Sequence, residues 1–129
     1  MDVTNQFAKL TTENQYEEEK EINQQSSFLD RVDQLIQENM DQVEFSVHHL
    51  SQALGLSRMQ VHRKIKSSTN QSTTHYIRSQ RLAQAKILLR ESNYSITTIA
   101  FEVGFYDLTY FSRCFKAAFG RSPSEYRIG

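Results

Sequence analysis

The sequence contains one cysteine (Cys114), one proline and no tryptophan. A single cysteine excludes an internal disulfide framework and is typical of a reducing compartment. No long apolar run and no charged leader followed by an apolar segment is present, so the sequence predicts neither a membrane span nor a signal peptide. With 129 residues, the chain has room for one ordinary domain or two very small ones. These absences lead us to expect a cytoplasmic protein that makes no membrane contact.

Charge is divided sharply along the chain, although the net charge is zero. Residues 1–45 hold three basic and eleven acidic residues, a net charge of −8, whereas residues 46–129 hold twelve basic and four acidic residues, a net charge of +8. Opposed halves of this kind indicate different partners or different solvent roles. The basic half is compatible with a polyanion such as nucleic acid, or with a solvated surface that is basic by chance.

Residues 1–26 are polar and acidic and contain no proline or glycine. Val3, Phe7 and Leu10 begin a heptad-like spacing that nothing continues. We interpret this stretch as a flexible, solvated linker or a frayed helix and not as a domain, and expect the folded domain to occupy residues 27–129.

From residue 27 onward, apolar residues recur every three to four positions, and no stretch alternates as a strand would. Helix boundaries are marked by Ser57 with Gln60 (a capping-box pattern) and by Gly55 and Gly104. The expected helices are one ending near Met40, one within 46–54, one at 57–67, a long one at about 72–91, one within 95–103, one at about 107–118 and a short one after Ser122. The sequence therefore predicts an all-α fold with seven helices.

An internal repeat organises this domain. LSQALGL (50–56) and IAFEVGF (99–105) align at an offset of 49 residues, and the offset becomes 50 after the turn that follows. The paired positions are Leu50 with Ile99, Gly55 with Gly104, Val61 with Phe111, Ile65 with Phe115, Arg63 with Arg113 and Lys66 with Lys116. Each copy has the pattern of a helix-turn-helix. We expect the first at about 46–67 and the second at about 95–118, joined by a long central helix.

The second helix of each copy carries a polar, basic stripe beside its apolar one. The stripes comprise Met59, His62, Arg63 and Lys66 in the first copy and Thr109, Ser112, Arg113 and Lys116 in the second. A helix fits the DNA major groove, where arginine pairs with guanine and where Met59 or Leu108 can touch a thymine methyl group. Lysines near helix ends are expected to meet phosphates. The apolar stripe of the second copy is expected to be core: Leu108, Phe111, Phe115, Ala118 and Phe119.

Other functions remain alternatives at this point. A helical protein-interaction module would explain the repeat but not two matched basic faces, and RNA binding would need exposed aromatic platforms that are not evident. No nucleophile–base pair, phosphate-binding glycine loop or metal-ligand spacing is present, so we expect no enzyme, no metal and no cofactor. His48 and His49 point about 100° apart on a helix and make a poor metal pair. Cys114 is expected to be packed rather than redox-active, and Arg81 and Arg90 to lie at the helix surface or in salt bridges.

Three stretches carry a resemblance to a known family: YIRSQRLAQAKILL (76–89), ITTIAFEVGFYDLTYFSRCFK (96–116) and GRSPSEYR (120–127). Over about residues 27–129 the sequence resembles the DNA-binding domain of the AraC/XylS family of bacterial transcription regulators. The resemblance implies two helix-turn-helix subdomains whose recognition helices, at about 57–67 and 107–118, read adjacent major-groove segments of a promoter. Asn70 and Thr73 stand where the family often has glycine and proline.

The resemblance also implies sites and partners. By position, base contacts fall on Met59, His62 and Arg63 and then on Leu108, Thr109, Ser112 and Arg113. The full predicted DNA-contacting set is Arg58, Met59, His62, Arg63, Lys66, Leu108, Thr109, Ser112, Arg113 and Lys116. Family analogy further suggests RNA polymerase as a partner. It also suggests an upstream sensory or receiver module of a two-component system, to which residues 1–26 would be the linker.

Overall fold

The computed structural model describes the backbone of residues 3–129 and the side chains of residues 15–24 and 26–129. Seven helices follow one another: α1 (Val3–Glu38), α2 (Val47–Leu54), α3 (Arg58–Thr69), α4 (Thr73–Glu91), α5 (Ile96–Glu102), α6 (Leu108–Phe119) and α7 (Pro123–Ile128). No strand occurs in the backbone that the structure describes. The predicted all-α fold of seven helices, with a long central helix between two helix-turn-helix units, is confirmed.

The first helix differs from the expectation. We expected it to begin near residue 27, but α1 starts at Val3 and continues without a break to Glu38. The glutamate, glutamine and lysine residues of this stretch are good helix formers, and no proline or glycine stops a helix that is already nucleated. The described side chains of residues 15–24 are exposed, and burial begins only with residues such as Val32 and Ile36. The side chains of Val3, Phe7 and Leu10 lie outside the described residues.

Helix ends follow the capping pattern of the sequence. Ser57 accepts a hydrogen bond from the amide of Gln60, and the Gln60 side chain accepts one from the Ser57 amide at 2.9 Å, so the predicted capping box is confirmed. Asn70 ends α3 in the left-handed region with φ of 59°, as expected for a residue whose short polar side chain tolerates it. The second helix of the first unit therefore has well-defined ends.

One continuous apolar core joins the two units through α4. This helix packs against α1, α3, α5, α6 and α7, which agrees with its predicted apolar residues on more than one face. The apolar core residues with no exposure are Val32, Leu50, Val61, Ile65, Ala85, Ile99, Ala100, Val103, Phe111 and Phe115. Because α4 contributes to both sides of this core, it fixes each helix-turn-helix unit on a common support.

Arg81 of α4 is buried, and here the sequence-based expectation of a surface or salt-bridging residue was wrong. Its guanidinium donates to the carbonyl oxygens of Met40 (2.7 Å), Val103 (3.0 Å) and Gln42 (2.7 Å). The side chain therefore joins the end of α1, the loop that follows it and the turn of the second unit. Burial lowers the pKa of Arg81, and the nearby carboxylates of Glu44 and Asp41 oppose that shift.

Candidate nucleic-acid interface

The two predicted recognition helices, α3 and α6, have the same orientation within their units. At the repeat-equivalent positions Leu50 and Ile99 are both 0% exposed, and so are Val61 with Phe111 and Ile65 with Phe115. Because equivalent residues are buried in both copies, equivalent residues on the opposite side of each helix point to solvent. Arg63 and Arg113 are both exposed, as are Lys66 and Lys116.

All ten predicted contact residues lie on these two helices, and nine of them are exposed. The exception is Ser112, which is half-buried. Met59 is 68% exposed, so its side chain is accessible to a binding partner. Neither α3 nor α6 contains an acidic residue, so no carboxylate on either helix opposes a polyanion.

The predicted core stripe of α6 needs a correction. Phe111 and Phe115 are buried and Phe119 is half-buried, but Ala118 is exposed and Leu108 is 37% exposed. Leu108 is the first residue of the helix and Ala118 is in its last turn, so both exposed positions lie near the ends of α6. The exposure of Leu108 leaves it available for the contact with a thymine methyl group that the sequence suggests.

The first turn of α3 is tied to α2. The Arg58 guanidinium donates to Nδ1 of His48 at 3.0 Å, so that nitrogen accepts and the His48 proton resides on Nε2. Next to it, Nδ1 of His49 accepts the Ser46 amide at 3.2 Å and its ring stacks on Phe45. Both imidazoles thus have structural roles, and among the described residues no cluster of three potential metal ligands occurs.

His62 is exposed on α3, and one of its ring nitrogens is already bonded. Nδ1 lies 2.8 Å from Oγ1 of Thr73, the first residue of α4, whose side chain is 0% exposed. The bond directs Nδ1 toward the junction of α3 and α4, and Nε2, across the exposed ring from this bond, has no hydrogen-bond partner among the described residues. Sequence reasoning did not single out Thr73 as part of the site, because nothing in the periodicity brings these two helices' residues together.

The C-terminal half of α3 faces α1. A surface groove of about 280 Å³ is lined by residues of both helices: Glu21, Gln24, Phe28, Arg63, Lys64, Ser67 and Ser68. The Lys64 ammonium lies 5.3 Å from the centre of the Phe28 ring, a cation–π contact that holds it beside α1. The acidic segment of α1 therefore runs beside the basic stripe of the first unit.

The start of α6 presents aromatic residues that sequence reasoning left out of the site. Asp107 caps the helix by accepting the amides of Thr109 (2.8 Å) and Tyr110 (3.2 Å). Tyr106 is 74% exposed in the turn just before the cap, and Tyr110 is 40% exposed. They line a groove of about 230 Å³ together with residues of the loop before α2, of α4 and of the turn of the second unit: Val43, Phe45, Ser46, Thr74, Ile77, Arg78, Arg81, Gly104 and Phe105. Cys114, on the same helix, is half-buried against the core, in keeping with its predicted packing role.

At the C-terminal end of the domain, two arginine side chains bind backbone carbonyl groups and a tyrosine. Arg127 donates to the carbonyl oxygens of Leu89 (3.1 Å), Tyr94 (2.6 Å) and Ser92 (3.3 Å), which closes the C-terminal end of α4. Arg90 is exposed, as expected, and donates to the phenol oxygen of Tyr126. These contacts give Arg127 and Arg90 a structural role.

Two capped helix-turn-helix units on one supporting helix, each with an exposed basic stripe, define a double helix-turn-helix domain. A family described as a helix-turn-helix domain matches residues 50–128. The chain belongs to this family, in its AraC-type branch, so the family resemblance of the sequence is confirmed.

Solved structures share this fold. The C-terminal domain of AraT, a response regulator from Geobacillus stearothermophilus, superposes with a TM-score of 0.72 and 32% identity, over 78% of this chain and 84% of that domain. The DNA-binding domain of AdpA, a global transcriptional factor solved in complex with a target DNA, superposes with a TM-score of 0.69 and 26% identity, over 81% and 89% of the two chains.

Curated relatives are much longer. A histidine kinase, P4, from Formosa agariphila is 38% identical over 93 residues, which are 72% of this chain and 7% of the kinase. The chain spans 7% to 34% of the length of the first curated relatives that it matches. No helix in the described part of the chain combines the length and the apolar composition needed to cross a bilayer.

Proposed function

We propose that this domain binds double-stranded DNA in a sequence-specific way and regulates transcription, with α3 and α6 as its recognition helices. The observation that carries the proposal is the matched pair of exposed basic stripes on two helices whose buried sides are equivalent residue by residue. A single helix-turn-helix pattern is shared by many helical hairpins, but two in phase with the same charged face are specific.

Roles within each stripe follow from residue chemistry. Arg63 and Arg113 are the bidentate donors that suit guanine O6 and N7, and the exposed Met59 suits a thymine methyl group. Lys66 and Lys116 stand in the last turns and suit phosphates, which position the protein without reading sequence. In the structure, Lys66 donates to the carbonyl of Asn70 at 3.2 Å, a local contact that a bound phosphate would replace.

Spacing also favours two neighbouring groove segments. The 19 residues of α4 correspond to about 28 Å of helix, somewhat less than the roughly 34 Å of one B-DNA turn. Both recognition helices packed on α4 can enter successive major-groove segments on one face of the duplex, with modest bending of the DNA.

We further propose that the chain works in the cytoplasm as the output domain of a longer regulator. The support is that curated relatives extend far beyond the matched region, and that one of them is a histidine kinase and one structural neighbour a response regulator. An upstream sensory or receiver module would then control the domain, and RNA polymerase would be its partner at the promoter. The sequence of the complete gene tests whether an upstream module exists, because a reading frame that encodes no such module would reject this part of the proposal.

The decisive experiment for DNA binding is a salt titration. A duplex selected from a random library is titrated with wild type, Arg63→Ala and Arg113→Ala, with Arg121→Ala as a control because Arg121 is exposed and lies outside α3 and α6. The logarithm of the affinity should fall with the logarithm of salt concentration by about 0.9 per neutralised phosphate. Arg63→Ala and Arg113→Ala should each lose about 1–3 kcal/mol of DNA-binding free energy, and each should relax the sequence preference at one base pair.

The control variant should keep its sequence preference at every position. A folded helical sample that shows no salt-dependent binding would overturn the proposal and favour the protein-interaction module instead. Equal losses for all three arginine variants, without a change in preference, would show non-specific electrostatic binding only.

A further inference from the structure

A buried threonine contacts a predicted base reader. Thr73 is the first residue of α4, its side chain is 0% exposed, and its Oγ1 lies 2.8 Å from Nδ1 of His62. Buried hydroxyls in proteins are almost always hydrogen-bonded, since an unsatisfied one costs free energy. The only partner of this hydroxyl among the described side chains is the imidazole, which itself reaches out into solvent on α3.

The direction of this bond determines the tautomer of the ring. A neutral imidazole has one N–H donor and one acceptor nitrogen. If Nδ1 donated to Thr73, the buried hydroxyl proton would have no acceptor. A buried donor without an acceptor carries its full desolvation penalty, so this arrangement is unfavourable. The threonine hydroxyl therefore donates to Nδ1 of His62, and the ring proton resides on Nε2, the nitrogen across the ring from this bond.

We infer that Thr73 is a positioning residue for sequence recognition, which makes His62 a hydrogen-bond donor to the DNA through Nε2. The inference rests on the proposed function. A donor at this place matches base edges that offer acceptors in the major groove, namely N7 and O6 of guanine, N7 of adenine or O4 of thymine. It does not match the amino group of cytosine, so cytosine should be disfavoured where His62 points.

The place of Thr73 at the start of α4 allows clean variants. Proline is favoured at the first position of a helix, because the amide there has no partner within the helix and φ already suits the ring. The preceding Ser72 has φ of −66° and ψ of 159°, the extended conformation that a following proline requires. Thr73→Pro and Thr73→Val thus remove the hydroxyl while the helix start is kept, and Thr73→Ser restores the hydroxyl.

The first test reads the tautomer without DNA. A long-range ¹H–¹⁵N spectrum of the neutral imidazole of His62 should show the Nε2–H form in wild type and Thr73→Ser, and a mixture of forms in Thr73→Val. A wild-type ring in the Nδ1–H form would overturn the inference, whatever the protein binds.

The second test measures base preference. On the site selected by wild type, affinity is measured for every single base-pair change with wild type, His62→Ala, Thr73→Val, Thr73→Pro, Thr73→Ser and the double variant His62→Ala/Thr73→Val. His62→Ala should weaken discrimination at one base pair by about tenfold. Thr73→Val and Thr73→Pro should weaken it at the same base pair by about threefold to tenfold. Thr73→Ser should behave as wild type, and the valine should have no further effect once His62 is alanine.

These outcomes test the inference about Thr73 separately from the proposed DNA-binding function. An equal loss at all base pairs, or the same loss with and without His62, would mean that Thr73 only stabilises the fold and would reject the inference alone. Wild type that is folded but selects no DNA site would reject the proposed function.

Discussion

Gly104 and Arg81 occupy one small space between the end of α1, the middle of α4 and the turn of the second unit. Gly104 has φ of +89°, and a Cβ atom there would lie 1.2 Å from Nη1 of Arg81 and 2.6 Å from the carbonyl oxygen of Met40. The sequence predicted this glycine as the end of a helix and as the equivalent of Gly55 in the repeat. The structure shows that its missing side chain also makes room for the guanidinium that binds three backbone carbonyls.

Gly104→Ala should therefore be severely destabilising. The new methyl group displaces a buried charged group from its carbonyl partners, which we expect to cost about 3–5 kcal/mol of unfolding free energy. The matched control is Gly55→Ala at the repeat-equivalent position, where φ is +66° and no atom lies within 4 Å of the added Cβ. That variant should cost only the left-handed backbone strain, about 1 kcal/mol. Urea unfolding of both variants measures the difference, and equal losses would contradict a special role for the Arg81 contact.

At the scale of the helix, α3 is defined by its ends more than by its composition. Ser57 and Gln60 close its first turn reciprocally, and Asn70 closes its last turn through a left-handed residue. Only Val61 and Ile65 anchor its inner side among buried residues. A recognition helix with so few buried anchors depends on its caps, because short isolated helices are marginal in water.

Ser57→Ala should lower the unfolding free energy by about 1 kcal/mol, since the amide of Gln60 loses its 3.1 Å partner at the N-terminus of α3. Ser124→Ala is the matched control, because Ser124 is exposed within α7, and its effect should stay within about 0.5 kcal/mol. Thermal unfolding followed by circular dichroism compares the two. A loss as small as that of the control would mean that α3 is held by its packing and not by its cap.

At the scale of the whole molecule, the acidic N-terminal part of the chain contacts the basic C-terminal part at α3. The net charge of −8 over residues 1–45 is carried largely on α1, and α1 runs beside Arg63 and Lys64 of α3. An acidic helix next to a DNA-binding surface repels phosphates, although exposed charges are screened over about 10 Å at 0.1 M salt.

Glu21→Gln should therefore tighten DNA binding slightly, by about twofold at low salt. Two unit charges about 10 Å apart in water interact by roughly 0.4 kcal/mol before screening. Glu91→Gln removes the same charge from the far end of α4 and should change affinity less. Titrations at low and high salt measure both, and the difference between the variants should vanish at high salt. An unchanged affinity for Glu21→Gln at low salt would show that α1 does not act on the DNA-binding surface.

Local patterns in the sequence determined most of this molecule. Apolar spacing predicted the helices, capping residues predicted most of their ends, and the repeat assigned Arg63 and Arg113 to equivalent positions of the two units. These features are readable because they depend on neighbours within a few residues, or on two copies obeying the same packing rule.

Tertiary structure alone decided how distant parts meet. The burial of Arg81, the position of α1 beside α3 and the bond between Thr73 and His62 join residues or segments whose spacing in the sequence carries no periodic signal. A buried polar group is placed by the partners that the whole fold brings to it, because only a hydrogen bond makes its burial tolerable. The sequence therefore predicted which helices carry the candidate DNA-reading residues, and the packing of α4 against its neighbours decided how those residues are held.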